Sequence, residues 1–252
     1  MQLQDKVVIV TGAARGLGRA YAEAMAAEGA SIVACDTNSC AETEEAVRAA
    51  GGKIASTVTD ITDMSSCSAM ADFALESFGR IDVLVNNAAL YAGLQGARFE
   101  DLPEDQWDQV MQVNIKGVWQ TCKAVVQPMR EAGGGSIINI SSLAAVFGLP
   151  YGLDYVASKA AVIGMTRTMA RELGRDSIRV NAVAPSAVMT EGTEEFFGEK
   201  FEKAKSVIAS GQLIQRNLET ADITGTVIYL ASDSSTFVTG QTHMVDGGSW
   251  FL

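Results

Sequence analysis

The chain has 252 residues, of which 48% are hydrophobic and 19% charged, and its formal net charge is −11. This length and composition favour one large α/β domain, and no apolar run approaches the ~18 residues that a membrane span needs. The negative charge repels nucleic acid at long range, so we expect neither a nucleic acid nor a membrane as partner.

Strand-like and helix-like segments alternate from the N-terminus onward. The first strand, Val7 to Val10, is short, apolar and rich in β-branched residues, which is typical of a parallel strand buried on both faces. An Ala-rich helix follows from Gly16, and Gly29 is a natural end for it. The next predicted elements are a strand over 31–35, a helix over 41–50, a strand over 53–58, a helix over 65–78 and a strand over 81–85.

The second half begins with a long predicted helix from about Pro103 to Met129. Pro103 suits a first helical turn, whereas Pro128 should distort or stop the helix. A strand over 136–140, a helix over 155–173, a strand over 178–183, a helix over 221–230 and a strand over 241–245 complete the pattern. The alternation predicts an α/β fold, a Rossmann-type doubly wound parallel sheet of about seven strands with helices on both faces, in a single domain over 1–252.

One segment, from Glu191 to Arg216, interrupts this alternation. It follows a strand end and mixes charged residues with Phe196, Phe197 and Phe201. Ligands of such sheets bind beyond the carboxyl ends of the strands. We therefore predict that residues 191–216 form a lid that covers the substrate.

The first strand runs directly into a glycine-rich turn, Thr11 to Gly18, which precedes a helix. Glycines at such a turn let the backbone approach a pyrophosphate and aim the helix N-terminus at it. Asp36 ends the second strand, about 20 residues further on, where an acidic side chain meets the ribose hydroxyls of a dinucleotide. Its carboxylate would repel a 2′-phosphate and so favours NAD over NADP. Arg15 is the opposing signal, because it could pair with a 2′-phosphate.

A second constellation consists of Ser142, Tyr155 and Lys159. Ser142 follows a predicted strand, and Tyr155 and Lys159 are spaced to share one helix face. A lysine ammonium beside the phenol should lower its pKa from about 10, and the positive oxidised nicotinamide should lower it further, so that Tyr155 could take an alcohol proton near neutral pH. Such a pair can also simply decorate a helix surface. The glycine-rich turn in the same chain favours the catalytic interpretation.

These motifs resemble those of the short-chain dehydrogenase/reductase family, in the branch whose chains have about the length of this one. The family's glycine pattern matches Thr11 to Gly18, its YxxxK pattern matches Tyr155 to Lys159, and its catalytic asparagine matches Asn114. The likeness extends from Lys6 to about Gly248 and thus covers nearly the whole chain.

The resemblance implies a role for each catalytic residue. Ser142 would hold the substrate oxygen, Tyr155 would donate or accept the proton, and Lys159 would lower the phenol pKa and bind the nicotinamide ribose. Asn114 would hold a water that relays protons to solvent. The positions expected to contact NAD are Gly12, Arg15, Gly16, Leu17, Gly18, Asp36, Asp60, Ile61, Asn87, Ala88, Tyr155, Lys159, Pro185, Val188 and Thr190.

The substrate pocket is expected next to these residues. Two departures from the family pattern bear on its shape: Ala89 and Ser186 stand where glycine is usual, and a left-handed backbone is disfavoured at Ser186. The candidate pocket residues are Leu90, Tyr91, Leu143, Ala144, Phe147, Tyr151, Ser186, Phe196 and Phe197.

The sequence therefore predicts an enzyme that transfers a hydride between NAD and a small-molecule secondary alcohol or ketone, an apolar aromatic or cyclic one. A 3-oxoacyl-carrier-protein reductase, which usually uses NADPH, is the alternative within the same class. A dinucleotide-binding regulator without catalysis is the alternative from another class. The intact Asn114, Ser142, Tyr155 and Lys159 argue against a regulator, because a sensor does not need all four.

Compartment and assembly follow from weaker signals. The four cysteines show no CxxC or metal-ligand spacing, so we expect free thiols in a reducing compartment and no bound metal. A strand-like run begins at Lys6, which leaves no room for a signal peptide, and we expect a cytoplasmic protein. The resemblance implies a homotetramer or dimer.

Overall fold

A seven-stranded sheet lies at the centre of the molecule, in a computed structural model that describes residues 1–251. Its order is β3-β2-β1-β4-β5-β6-β7, and all neighbouring strands are parallel. The strands are β1 (Val7–Thr11), β2 (Ser31–Asp36), β3 (Lys53–Val58), β4 (Val83–Asn86), β5 (Gly135–Ile140), β6 (Ile178–Pro185) and β7 (Thr242–Val245). The order reverses between β1 and β4, the position where doubly wound sheets bind their ligands. The predicted fold class is confirmed.

Helices cover both faces of the sheet. They are α1 (Gly16–Ala27), α2 (Ala41–Ala49), α3 (Met64–Phe78), α4 (Glu104–Met111), α5 (Val118–Glu131), α6 (Ala144–Phe147), α7 (Leu153–Leu173), α8 (Glu191–Phe197), α9 (Phe201–Gly211) and α10 (Thr220–Ala231). In the part of the chain that the structure describes, no helix has both the length and the apolar character to cross a membrane.

The core forms two layers because strand residues alternate between the two faces of the sheet. Val8 and Val10 of β1 belong to one hydrophobic cluster, together with Tyr21 of α1. Ile9 belongs to the other cluster, together with Val125 of α5. All of β1 is buried, as its uninterrupted apolar run predicts.

The long helix predicted from Pro103 to Met129 differs from the prediction in two ways. A π-helical turn, Gln112–Gly117, joins α4 to α5 and inserts an extra residue into the helical register. Pro128 does not stop α5, which continues to Glu131. Because Pro128 lies one turn before the helix end, its missing N–H removes a single helical hydrogen bond, and its own carbonyl still accepts from Ala132 N at 3.0 Å.

The segment that interrupts the alternation, 191–216, contains α8, a short 3₁₀ turn over Gly198–Lys200, and α9. It follows the carboxyl end of β6, where Thr190 caps α8 by accepting a hydrogen bond from Thr193 N. The short α6 was not predicted, because four residues give no helical period. Both α6 and α8 lie on the side of the sheet where the strands end, and they frame the cavity described next.

Candidate active site

A cavity of about 560 Å³ opens at the carboxyl ends of the central strands. Side chains from the glycine-rich turn, the ends of β4, β5 and β6, and helices α7, α8 and α9 contribute to its wall. The predicted site residues that line it are Arg15, Gly16, Leu17, Asn87, Tyr91, Ser142, Leu143, Ala144, Phe147, Tyr155, Lys159, Pro185, Ser186, Val188, Thr190, Phe196 and Phe197.

The glycine-rich turn leaves no space for a side chain at Gly12 or Gly18. Gly12 has φ +67° and Gly16 has φ +57°, both in the left-handed region that favours glycine. A Cβ added at Gly18 would lie 1.9 Å from the Gly12 carbonyl oxygen, so the turn packs directly on the start of α1. Asn87 holds this arrangement, since its Nδ2 donates to the carbonyls of Thr11 and Gly12 at 3.0 and 3.1 Å.

The N-terminus of α1 faces this turn without a side-chain cap or an acidic residue in its first turn. Its first N–H groups therefore lack partners from the helix itself and can bind an anion. Together with the bare glycine surface, this end of α1 fits a pyrophosphate.

Asp36 lies at the end of β2, beside the turn. Its Oδ2 accepts from Ala14 N at 3.1 Å and its Oδ1 accepts from Asn38 N at 2.9 Å, so the carboxylate is held in place by backbone groups on both sides. Arg15 points in another direction: its guanidinium pairs with both carboxylate oxygens of Glu195 on α8. Asp36 and Arg15, the two opposing signals for cofactor choice, therefore have different partners: backbone N–H groups hold Asp36, and Glu195 holds Arg15.

Three other predicted cofactor positions lie outside the cavity wall. Ala88 approaches the turn so closely that its Cα would be 2.8 Å from a Cβ at Gly12. Asp60 accepts from Thr62 N and from Thr62 Oγ1 at 2.8 and 2.7 Å, which orders the loop after β3. The Ile61 side chain is buried against Gly117 of the π-helical turn.

Tyr155, Lys159 and Ser142 come together at the floor of the cavity. Lys159 is buried, its Nζ donates to the Ile140 carbonyl at 2.9 Å, and the same nitrogen lies 5.8 Å from the Tyr155 ring centroid. Ser142 accepts from Ala144 N at 3.2 Å, while the hydroxyl of neighbouring Ser141 donates to the Lys159 carbonyl at 2.8 Å. Ser141 is therefore committed to the backbone of α7, and Ser142 is the serine available to a ligand.

The expected lowering of the Tyr155 pKa does not occur in the protein's own environment. Burial raises the pKa of Tyr155 to about 12, and a hydrogen bond with Ser142 opposes this rise only in part. Burial also lowers the pKa of Lys159 to about 8. The prediction counted the attraction of the phenolate to the Lys159 ammonium and to an oxidised nicotinamide, and it left out the cost of placing charges away from water. Burial therefore reverses the expected direction in the protein without its cofactor, and the lowering by a bound nicotinamide stays a prediction.

Asn114 lies in the π-helical turn and is almost completely buried. Its Oδ1 accepts from Leu90 N at 2.7 Å, and its Nδ2 donates to the Leu90 carbonyl and to Ser158 Oγ, each at 3.1 Å. Ser158 Oγ in turn donates to the Tyr155 carbonyl at 2.7 Å. The Asn114 side chain therefore joins the loop after β4 to the turn of α7 that carries Tyr155.

An aromatic stack forms one wall of the cavity. Tyr91 lies parallel to Phe196 with ring centroids 4.5 Å apart, and it contacts Tyr155 at 5.1 Å. Phe197 meets Phe196 edge to face at 5.1 Å. Phe196 of α8 thus contacts Tyr91, the neighbour of Tyr155. A planar apolar ligand could contact Tyr91 in the same way.

Two predicted pocket residues do not line the cavity. Tyr151 is 66% exposed, and its positive φ of +66° belongs to a turn before α7 that directs it to the surface. Leu90 meets Asn114 through its backbone instead. Ala89, named above as a departure from the family pattern, does line the cavity. The lining residues not named from the sequence are Ala92, Ile140, Ser141, Leu149, Ala187, Gly192, Thr193, Val207, Ile208, Gly211, Ser249 and Trp250. The sequence signal that could have found Trp250 is the apolar character of residues 248–252, and Val207 and Ile208 lie within the predicted lid segment.

Ser186 has no left-handed backbone, as expected from the replacement of glycine. Its hydroxyl donates to Gln212 Oε1 at 2.9 Å, and Gln212 Nε2 donates to the Arg216 carbonyl. This short chain of hydrogen bonds fastens the end of the 191–216 segment to the loop after β6. Across residues 1–251, no three His, Cys, Asp or Glu side chains are grouped so that they could hold a metal ion.

Comparison of the sequence with known proteins finds similar oxidoreductases. A family model described as enoyl-(acyl carrier protein) reductase matches residues 12–249. A 3-oxoacyl-(acyl-carrier-protein) reductase from Thermotoga maritima is 39% identical over 98% of this chain and 99% of its own length. A D-threitol dehydrogenase from Mycolicibacterium smegmatis is 38% identical over 98% of this chain and 94% of its own length.

Solved structures show the same architecture. The crystal structure of carveol dehydrogenase from Mycobacterium avium in complex with NAD superimposes with a TM-score of 0.93 at 32% identity, and the match covers 98% of each chain.

Proposed function

The chain belongs to the short-chain dehydrogenase/reductase family, and from that premise we propose that it is an NAD-dependent dehydrogenase of secondary alcohols. The observation that carries the proposal is the position of the Tyr155 phenol, beside Ser142 and Lys159, at the floor of a cavity with mostly apolar walls. The experiment that tests it follows reduced-cofactor absorbance for a panel of secondary alcohols and ketones, with NAD and NADP side by side.

The cofactor side of the cavity fits a dinucleotide. Gly12 and Gly18 let the turn pack closely on Ala88 and on the start of α1. The uncapped end of α1 would bind the pyrophosphate, and Asp36 would meet the ribose. When bound, the nicotinamide ring accepts or supplies the hydride. The chain's own residues then have three tasks, which are to hold the substrate oxygen, to exchange its proton and to exclude water.

The Ser142 hydroxyl would hold the substrate oxygen, because it lies beside the Tyr155 phenol and, unlike Ser141, is not bound to the backbone of α7. Tyr155 would exchange the proton with that oxygen. Lys159 would position the ribose and supply positive charge near the phenol, and its bond to the Ile140 carbonyl holds its ammonium in place. Asn114 would hold Tyr155 in position through its hydrogen bond to Ser158. A water relay at Asn114 stays an expectation from the family.

The lid role of residues 191–216 is part of the same proposal. Phe196 and Phe197 of α8 and Val207 and Ile208 of α9 contribute apolar surface to the cavity wall. Closure by such a segment would exclude water from the hydride transfer.

Cofactor choice gives one prediction. We expect wild-type enzyme to prefer NAD, and Asp36→Ala to narrow that preference by about ten- to a hundredfold, since a charged hydrogen bond and a repulsion of the 2′-phosphate are both lost. The measurement is kcat/KM for NAD and NADP with one alcohol. Asp72→Ala, the same change on the surface of α3, is the control. Equal use of NADP by the wild type would show that Arg15 outweighs Asp36.

The substrate class is proposed from the cavity wall. The stack of Tyr91 and Phe196 offers flat apolar surface beside Tyr155, which suits an aromatic or cyclic secondary alcohol. The second candidate, reduction of 3-oxoacyl chains on a carrier protein, is favoured by the Thermotoga maritima relative. Carrier proteins are strongly acidic, however, and the chain's net charge of −11 would slow their association.

These two candidates predict opposite substrate rankings. We expect a free aromatic or cyclic secondary alcohol to be oxidised with a much higher kcat/KM than any 3-hydroxyacyl thioester. The acidic residues of the 191–216 segment are the physical reason, since they outnumber its basic residues: Glu191, Glu194, Glu195, Glu199 and Glu202 against Lys200, Lys203, Lys205 and Arg216. Both series are measured on one preparation. Thioesters with the higher kcat/KM would establish the reductase instead.

We also propose a single domain, a homotetramer or dimer, and a cytoplasmic location. The four cysteines are buried free thiols, which suits a reducing compartment. Phe237 and Phe251, near the C-terminus, are exposed apolar side chains that a subunit contact would cover.

A further inference from the structure

The ion pair between Arg15 and Glu195 joins two segments with separate tasks. Arg15 belongs to the glycine-rich turn and Glu195 to α8, which contributes the aromatic wall of the cavity. Both guanidinium NH₂ groups donate to the carboxylate, one to each oxygen, with Nη2 at 2.9 Å from Oε2. A two-point contact of this kind fixes the direction of the guanidinium as well as its position.

Arg15 is surrounded by negative charge. Besides Glu195, the carboxylates of Glu191 and Asp36 are near enough to act on it electrostatically. A Cβ added at Gly16 would lie 4.0 Å from Glu191 Oε2, so this second α8 carboxylate lies directly beside the turn. The one cation that the turn offers to a ligand is therefore already neutralised by α8.

We propose that Glu195 is a specificity-determining residue that favours NAD by occupying Arg15. This proposal rests on the proposed function, in which the ribose of the dinucleotide lies between Asp36 and the glycine-rich turn. To pair with Arg15, a 2′-phosphate there would have to displace the Glu195 carboxylate, and it would then remain close to that carboxylate. Glu195 thus competes with the 2′-phosphate for Arg15 and also repels the phosphate. Asp36 repels the phosphate from the other side.

Glu195 acts through Arg15, so its effect must depend on Arg15. A general loosening of α8 would change the affinities for nucleotides with and without a 2′-phosphate alike. Removal of the competition between Glu195 and the 2′-phosphate for Arg15 would change the ratio of these two affinities. The ratio of the two affinities is therefore the informative quantity.

The test is calorimetric binding of adenosine 2′,5′-bisphosphate and adenosine 5′-monophosphate to full-length protein at low salt. Glu195→Gln should improve the affinity for the bisphosphate relative to the monophosphate by about three- to tenfold, which one exposed ion pair and one removed repulsion can supply. Glu194→Gln removes an equal charge from the neighbouring position of α8 and should leave the ratio unchanged. In an Arg15→Ala background, Glu195→Gln should change the ratio clearly less, because only the repulsion between Glu195 and the 2′-phosphate is then removed.

Three results overturn the proposal: an unchanged ratio in Glu195→Gln, an equal change in Glu194→Gln, or the same change without Arg15. Glu195→Ala, which cannot keep any hydrogen bond to Arg15, repeats the comparison, and melting curves show whether each variant is folded. A wild-type protein that binds neither nucleotide would reject the dinucleotide site itself. Normal binding with an unchanged ratio would reject only the role of Glu195.

Discussion

Replacing Tyr155 by phenylalanine is expected to lower kcat by about 10²–10⁴-fold, because the proton of the substrate oxygen then has no acid or base to exchange with. The Tyr155 ring also contacts the Tyr91 ring at a tilt of 42°, and phenylalanine preserves that contact. Cofactor binding should therefore change little. The measurement is kcat and KM for alcohol and cofactor, together with cofactor binding by fluorescence.

The matched control is Tyr229→Phe, which removes a phenol hydroxyl from the exposed side of α10. It should keep wild-type turnover. The wild-type pH profile adds a second readout: since burial raises the pKa of Tyr155, the phenolate needed for oxidation is scarce at neutral pH, and oxidation should accelerate as pH rises. The protonated phenol needed for ketone reduction is present at neutral pH and is lost only as pH rises through the raised pKa. Near wild-type turnover in Tyr155→Phe would reject the assignment.

Gly18→Ala is expected to damage both stability and cofactor use. The added Cβ would lie 1.9 Å from the Gly12 oxygen and 2.8 Å from Asn87 Nδ2, so the turn must move away from α1. Overpacking against backbone costs about 1–3 kcal/mol, and a displacement of about 1 Å at a binding element can cost 10²-fold in rate. We expect a lower melting temperature and a kcat/KM for NAD reduced by about 10²-fold.

Gly225→Ala is the matched control for that change. Gly225 lies inside α10, and a Cβ added there would meet nothing within 4 Å. Alanine is the better helix former, so this variant should gain about 0.5–1 kcal/mol and keep its activity. If Gly18→Ala kept wild-type cofactor affinity, the glycine-rich turn would not be the pyrophosphate site.

The sequence by itself was sufficient for the fold because its signals are local. Buried parallel strands are short apolar runs, and each of the seven predicted strands overlaps an observed one. The turn between β1 and α1 could be predicted equally well, since only glycine adopts without strain the positive φ found at Gly12 and Gly16. The position of Ser142 after β5 and the spacing of Tyr155 and Lys159 on α7 located the candidate site in the same way.

Other features depended on contacts between distant segments, which no local pattern contains. Arg15 meets Glu195 across 180 positions, and Asn114 joins Leu90 to Ser158 through a π-helical turn that helical periodicity does not reveal. The side chain of Tyr151 faces solvent because of the turn that precedes α7.

The protonation of the site was also decided by tertiary structure. Residue spacing indicates which charges lie near the Tyr155 phenol, but the depth of its burial depends on how the segments around α7 pack in the assembled fold. Burial there raises the pKa of the phenol, and the Nζ of Lys159 is directed to the Ile140 carbonyl. The sequence therefore determined which groups form the site, and the packing of the helices on the sheet determined their charge and their partners, because desolvation is a property of the assembled fold.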